Sequence, residues 1–367
     1  MTILAARTQL AAKIESVEGT AETLAAADAL LCSNPTFGPD TPMGERDPVS
    51  ASMSPFASVP GKRSATMEFD IELKASGTAG TAPALGKLLK ACGFGETISA
   101  PPTWAASTAY SVDDLVVPTT GNNYRYKCTV AGTSDTSEPT WPTTPGQTVV
   151  DGTVTWECEY LPITYDPASA DIPSITLAFY MDGVCKKIWG ARGNVSLRLE
   201  DGLPGALHFV FTGADFSVTD AALLTGVSYE TTKPQPFLNA SMQIDSYAAL
   251  LGLVEINMNN SIKLREDVNK ESGYLSAVIT KRLPVMSLDP EMVTVATYDW
   301  FGKLRSGNEA AFTATLGSTA GNICTITAPK VQYTAIAPGE REGIRTLGID
   351  CQLNRNSGDD ELKIKFT

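Results

Sequence analysis

The chain has 367 residues, of which 43% are hydrophobic, enough for one large domain or two smaller ones around a real core. Lys and Arg total 28 against 41 Asp and Glu, giving a formal charge of −13, which argues against a surface that neutralises phosphates. No Lys/Arg-rich run occurs, and no stretch approaches the ~18 consecutive apolar residues of a membrane span.

The N-terminus has only the short apolar group Ile3, Leu4, Ala5 and Ala6 and lacks the pattern of a secretory signal, so the chain is expected in the cytosol where it is made. Residues 1–64 are poor in periodic signal and rich in turn formers, and read as an N-terminal arm and loops. Within them, 44–63 is long for a connection. It holds Pro48, Pro55, Pro60 and Gly61, yet also Val49, Met53 and Phe56, apolar side chains that a loop exposes when it docks on a partner.

A strand follows at 66–73, where Met67, Phe69, Ile71 and Leu73 alternate with Thr66, Glu68, Asp70 and Glu72. One face packs, and the other carries three acids in a row. The single convincing helix lies at 81–94: Leu85, Leu88, Leu89 and Cys92 share a face, Pro83 occupies the first turn and Gly93 the stop.

Composition changes at Ala100, Pro101 and Pro102. Residues 100–162 contain Trp104, Tyr110, Tyr124, Tyr126, Trp141, Trp156 and Tyr160, with strands expected at 114–117, 124–130 and 153–160. Proline at both ends marks an inserted small β module. Trp104, Tyr126 and Trp156 suit its core, whereas Trp141, in a turn-rich loop, is the best exposed candidate, with Tyr110 and Tyr124 beside it. The pattern resembles small chitin- and cellulose-binding modules, with Asp113 where a Gly is usual, and that resemblance makes Trp141, Tyr110 and Tyr124 candidate glycan-facing rings.

Beyond the module, alternation marks strands at Ile175, Leu177 and Phe179, at Val195, Leu197 and Leu199, and at Leu207, Phe209 and Phe211. Further strands are expected at 254–258, 277–280, 293–297, 322–327 and 331–335, then 347–353 and 362–366. The fold class is all-β with one packed helix, an antiparallel sandwich or rolled sheet.

Chemistry is thinly represented. One histidine, His208, sits in a strand and suits a structural role. Without a second His or clustered Cys, a zinc-hydrolase or Ser-His-Asp site cannot be assembled, and no cofactor or metal is expected. The seven cysteines are scattered. Cys128 and Cys158 share the module and could face each other, with reduced thiols expected in a cytosol.

With the module set aside, the chain resembles the tail tube proteins of long, non-contractile-tailed bacteriophages. The resemblance runs through 14–20, 44–46 with 63–73, 77–96, 165–199, 207–223 and 247–367. Most telling are Gly80, Thr81, Ala82 and Pro83 leading into 88–94, then Gly190, Ala191, Arg192 and Gly193, then 358–362. The resemblance implies a discontinuous tube domain of residues 1–99 and 163–367 with 100–162 decorating its exterior. It also implies six-membered rings stacked into a hollow tube in the virion, assembled in the host cytoplasm, through which DNA passes without specific binding. Implied partners are further copies of the chain, the tail tip and terminator proteins and a tape measure protein in the lumen. In that frame Glu68, Asp70 and Glu72 are candidate lumen wall, Val49, Met53 and Phe56 a ring-stacking loop, and the module a weak holder of cell-surface glycan. The competing readings are a secreted carbohydrate-binding or carbohydrate-active protein and a non-viral pilus- or sheath-like protein.

Overall fold

The computed structural model describes residue 4, residues 6–98 and residues 101–367. The expected module boundary at 99 and 100 lies outside the described residues. Antiparallel strands dominate, as the alternating pattern predicts, and they form a sandwich.

One layer is a continuous run of hydrogen-bonded neighbours: Ser33–Asp40, Ser64–Glu72, Ala206–Gly213, Gly183–Glu200, Leu253–Asn257, Val285–Leu288, Ile344–Asn354, Cys324–Arg341 and Glu309–Leu316. Two strands of this run serve both layers. The first half of Gly183–Glu200 pairs with Ile175–Met181 and Asp215–Ala221, and Ile175–Met181 pairs in turn with Thr8–Ile14. The start of Cys324–Arg341 pairs with Lys363–Phe366, which leads through Ile163–Pro167 to Phe94–Ile98. Long strands that change sheets in this way make the corners of a sandwich.

The core lies between the layers because each strand turns its apolar set inward. Phe69, Phe209 and Phe211 stack along one layer and meet Phe179 of the other, whose ring stands edge-on 6.0 Å from Phe69. Leu10, Leu177, Ile188, Ile256 and Ile349 complete this cluster, all nearly or fully buried.

The expected helix is present but shorter, Gly86–Ala91. A tight turn precedes it, with Gly86 N–H donating to Pro83 O at 2.9 Å, and Gly93 at φ +88° ends it as expected. Gly86 is required because a Cβ there would stand 2.0 Å from the Tyr165 hydroxyl. Leu88, Leu89 and Cys92 are buried in the main core.

Three readings need correction. Residues 1–64 are more than an arm and loops: Thr8–Ile14 and Ser33–Asp40 are sheet strands. A second helix, Trp300–Ser306, joins the first; the Asp299 side chain accepts from Gly302 N–H at 2.7 Å, and Gly307 at φ +65° caps its end. Residues 293–297, expected as a strand, lie in turn and coil. No helix among the described residues is long and apolar enough to cross a membrane.

Candidate functional site

The acidic strand face sits where its alternation puts it. Met67, Phe69 and Ile71 are buried, while Glu68, Asp70 and Glu72 point to the opposite side. Strand register extends this face sideways: Ser33, Asp70, His208, Ser196, Asn257, Val285, Gln352, Gln332 and Glu309 lie opposite one another in succession. A row that is polar at every position but Val285 therefore crosses nine strands.

This face is concave. Asp70 and Asp350 belong to strands with four others between them, yet both line one groove of about 630 Å³ together with Ser196, Glu255 and Ser287.

Basic side chains inside the groove are held by carboxylates. His208 Nδ1 lies 2.6 Å from Asp70 Oδ1, and Asn34 Nδ2 donates to Asp70 Oδ2 at 2.7 Å. Arg198 is gripped by Glu200, with Nη2 to Oε2 at 2.9 Å, and by Glu255. Asn194 donates across to Asn257 at 2.8 Å. With Glu68, Glu72 and Asp350 added, the wall has more acids than bases. Such a surface carries a net negative field at these positions.

Residues 45–58 form a projecting loop. Its base is a short ribbon, Met43–Gly44 paired with Val59–Pro60, closed by Gly61 N–H donating to Pro42 O at 2.8 Å. Val49 and Met53 are fully exposed and Phe56 is 42% exposed, so the expected apolar residues do stand in solvent. Isolated exposed apolar residues are ordinary; here three stand on one projecting loop.

The aromatic module has its own sheet, Thr148–Asp151, Val154–Tyr160, Tyr124–Val130 and Leu115–Val116, and its own apolar cluster. Trp104, Tyr126 and Trp156 are buried, as their core reading predicts. Between them sits Asp151, itself buried: its Oδ2 accepts from Trp104 Nε1 at 2.8 Å and Trp156 Nε1 at 3.0 Å, and its Oδ1 from Asp135 N–H at 2.8 Å. Nothing in the sequence pattern singles out this residue, since its donors arrive from three separate segments.

Trp141 is not the exposed ring that its loop position suggests. It lies on Tyr126 with centroids 4.1 Å apart, meets Trp156 at 6.0 Å, and donates its indole N–H to Glu138 at 2.8 Å. Burial alone would raise the Glu138 carboxyl, but hydrogen bonds from Thr119 and Trp141 outweigh it and hold the group below its ordinary range. Tyr110 packs edge-on against Trp156 at 4.8 Å, and Tyr124 pairs with Tyr160. All three rings are half-buried against the module's own core, because so small a unit needs every ring it has. Cys128 and Cys158 are buried free thiols.

Among the described residues, no group of three or more His, Cys, Asp or Glu is placed to hold a metal ion. His208 has Asp70 as its partner in a groove wall that also carries Arg198, carboxylate, hydroxyl and amide groups and the apolar Ala206, Ile256, Val285 and Met286.

No curated protein matches the chain. The family profile described as phage tail tube protein matches residues 5–353, nearly the whole sequence and the whole of the concave sheet apart from its last residue, Asn354. The chain belongs to the phage tail tube protein family, a family of structural tail proteins.

Proposed function

We propose that copies of this chain close into six-membered rings, that the rings stack into the hollow tube of a long non-contractile tail, and that the concave polar face lines the passage for DNA. The observation that carries this reading is the row from Ser33 to Glu309, polar at every position but Val285, along a grooved face where Arg198 is paired with carboxylates and acids are in surplus. Glu68, Asp70 and Glu72 then belong to the lumen wall. Ser33–Asp40 has only Ser64–Glu72 as a sheet neighbour among the described residues, leaving an edge that pairing with the adjacent copy would cover. Val49, Met53 and Phe56 reach the next ring.

Residues 101–162 act as an exterior decoration on this tube. Ile98 and Ile163 are direct partners across two antiparallel strands, so the chain leaves and rejoins the sandwich at one point. That geometry supports an insertion within a discontinuous host domain. Tail tip, terminator and tape measure proteins are the proposed partners, with host cytoplasm as the assembly site. The inward packing of Trp141, Tyr110 and Tyr124 removes the main support for a glycan platform built from these rings.

Sedimentation and negative-stain electron microscopy of the purified chain test this. Rings or hollow tubes with lateral knobs, lost on deletion of 101–162, are expected. A chain that stays monomeric at all concentrations and hydrolyses polysaccharide would overturn the proposal.

A further inference from the structure

The base of the projecting loop is held by an element that belongs to neither layer of the sandwich. Among the described residues, Ser261–Glu266 and Tyr274–Lys281 pair only with each other, as a hairpin. Its tip meets Lys62 and Arg63, where the loop returns to the strand Ser64–Glu72. Residues 41–62 are exposed throughout, and none of them joins the apolar core, so packing does not aim the loop.

The body of the hairpin is seated on the sandwich. A Cβ on Gly19 would stand 2.2 Å from Leu275 O, so only glycine lets the two backbones come this close. Glu18 beside it accepts from Ser276 Oγ at 2.7 Å and pairs with Arg192 at 2.9 Å and with Arg265 at 3.2 Å. Asn260 Nδ2 donates to Cys92 O at 2.8 Å and to Gly193 O at 3.1 Å, and Ser276 and Ala277 are fully buried.

The tip is built around the loop base. Arg63 N–H donates to Ser272 O at 3.0 Å, and the guanidinium bridges Glu271 of the tip, at 3.1 Å, and Asp215 of the sandwich, at 2.7 Å. Lys62 pairs with Glu266 and holds its ammonium 5.2 Å from the centre of the Tyr274 ring. A Cβ on Gly273 would stand 2.7 Å from Lys62 Cγ, so the tip has room for the Lys62 stem only because this residue lacks a side chain. We propose that the hairpin is a brace: its seated body makes the tip a fixed point, and the tip clasps Lys62 and Arg63 to hold the projecting loop at one angle. The brace acts within a single chain, so it operates whether or not copies assemble. A loop already held at one angle loses less freedom when it meets a partner.

Hydrogen exchange of the full chain, read by mass spectrometry, tests the brace from the hairpin side. It compares the wild type with the double variant Glu266→Gln and Glu271→Gln and with Gly273→Val, with circular dichroism to confirm that each is folded. Both glutamates are exposed, so the fold should survive their replacement. In the double variant, the ribbon Met43–Gly44 with Val59–Pro60 and the Gly61 amide should exchange about threefold faster or more, the effect of losing two exposed ion pairs. In Gly273→Val the rise should be larger, because the new side chain displaces Lys62. The strand Ala206–Gly213 should exchange as before in both. Wild-type exchange at the loop base in both variants would show that the strand pair alone aims the loop, and would overturn the brace. A rise confined to the hairpin would overturn it equally.

Discussion

The sandwich and the aromatic module solve the same packing problem at different scales. The sandwich has long alternating strands to spare, so it fills its core with Phe69, Phe179, Phe209 and Phe211 and leaves a whole polar face free for other work. The module has four strands of its main sheet and few residues, and it draws Trp104, Trp156, Tyr126 and even the loop residue Trp141 onto one cluster around the Asp151 carboxylate. The same residue type therefore carries different information in the two regions. In a large core, a polar row on an alternating strand marks a surface; in a small one, an aromatic in a loop marks the core.

The comparison can be broken most forcefully in the sandwich. Phe69→Ala should cost about 3–5 kcal/mol, because the ring is fully buried between layers and leaves a cavity. Chemical denaturation should show the main transition shifted. At least comparable in size, but confined to the module, is Asp151→Ala, which strands two indole N–H groups and a backbone N–H. At about 1–3 kcal/mol for each unsatisfied buried group, the module should unfold while the sandwich stays folded. Limited proteolysis would then cut within 101–162 alone; cuts spread over the sandwich would refute the independence of the two cores. A smaller effect, about 2 kcal/mol, is expected for Trp141→Ala from lost packing on Tyr126 and Trp156. An unchanged module would restore Trp141 as a free binding ring.

The smallest effect is the one read by acid. Hydrogen bonds from Ser16 and Lys13 lower the Glu22 carboxyl from 4.5 to about 2. Asp360 is also lowered to about 2: burial works against this, but the backbone N–H groups of Ser357, Asn356 and Gly358 and the Ser357 hydroxyl outweigh it. A depressed carboxyl binds fewer protons folded than unfolded, so its contribution is complete above its unfolded value and is lost as pH falls through its folded value. Stability should therefore decline between pH 4.5 and about 2 in a thermal-denaturation series. Glu22→Gln should flatten that decline slightly. A stability that rises on acidification over this window would contradict the assignment.

Much of the sandwich was legible because strict alternation has only one reading. The strand at 66–73 and the module strand Tyr124–Val130 lie where the sequence places them. Two N-terminal strands were hidden for physical reasons. Thr8–Ile14 buries Leu10, Ala11 and Ala12 in succession, since both its faces are covered, so it shows no alternation. Ser33–Asp40 contains Pro35, Gly38 and Pro39, which read as turn formers. An edge strand tolerates proline, and the register here slips between Ser33 and Thr36, where Pro35 sits. The helix Trp300–Ser306 is too short for periodicity, although Asp299 and Gly307 bracket it with cap residues.

Of the candidate surfaces, the acidic row and the exposed loop could be located from sequence, but the groove could not. Its rung is assembled from nine strands between Ser33 and Glu309 whose order along the chain says nothing of their order in the sheet.

The central claim is that the concave polar face looks inward in an assembled tube. Electron cryo-microscopy of polymers of the full chain tests it most directly. The account predicts Glu68, Asp70 and Glu72 on the lumen surface and residues 101–162 on the outside. A tube with these three acids on its outer surface, or buried between neighbouring copies, would contradict it.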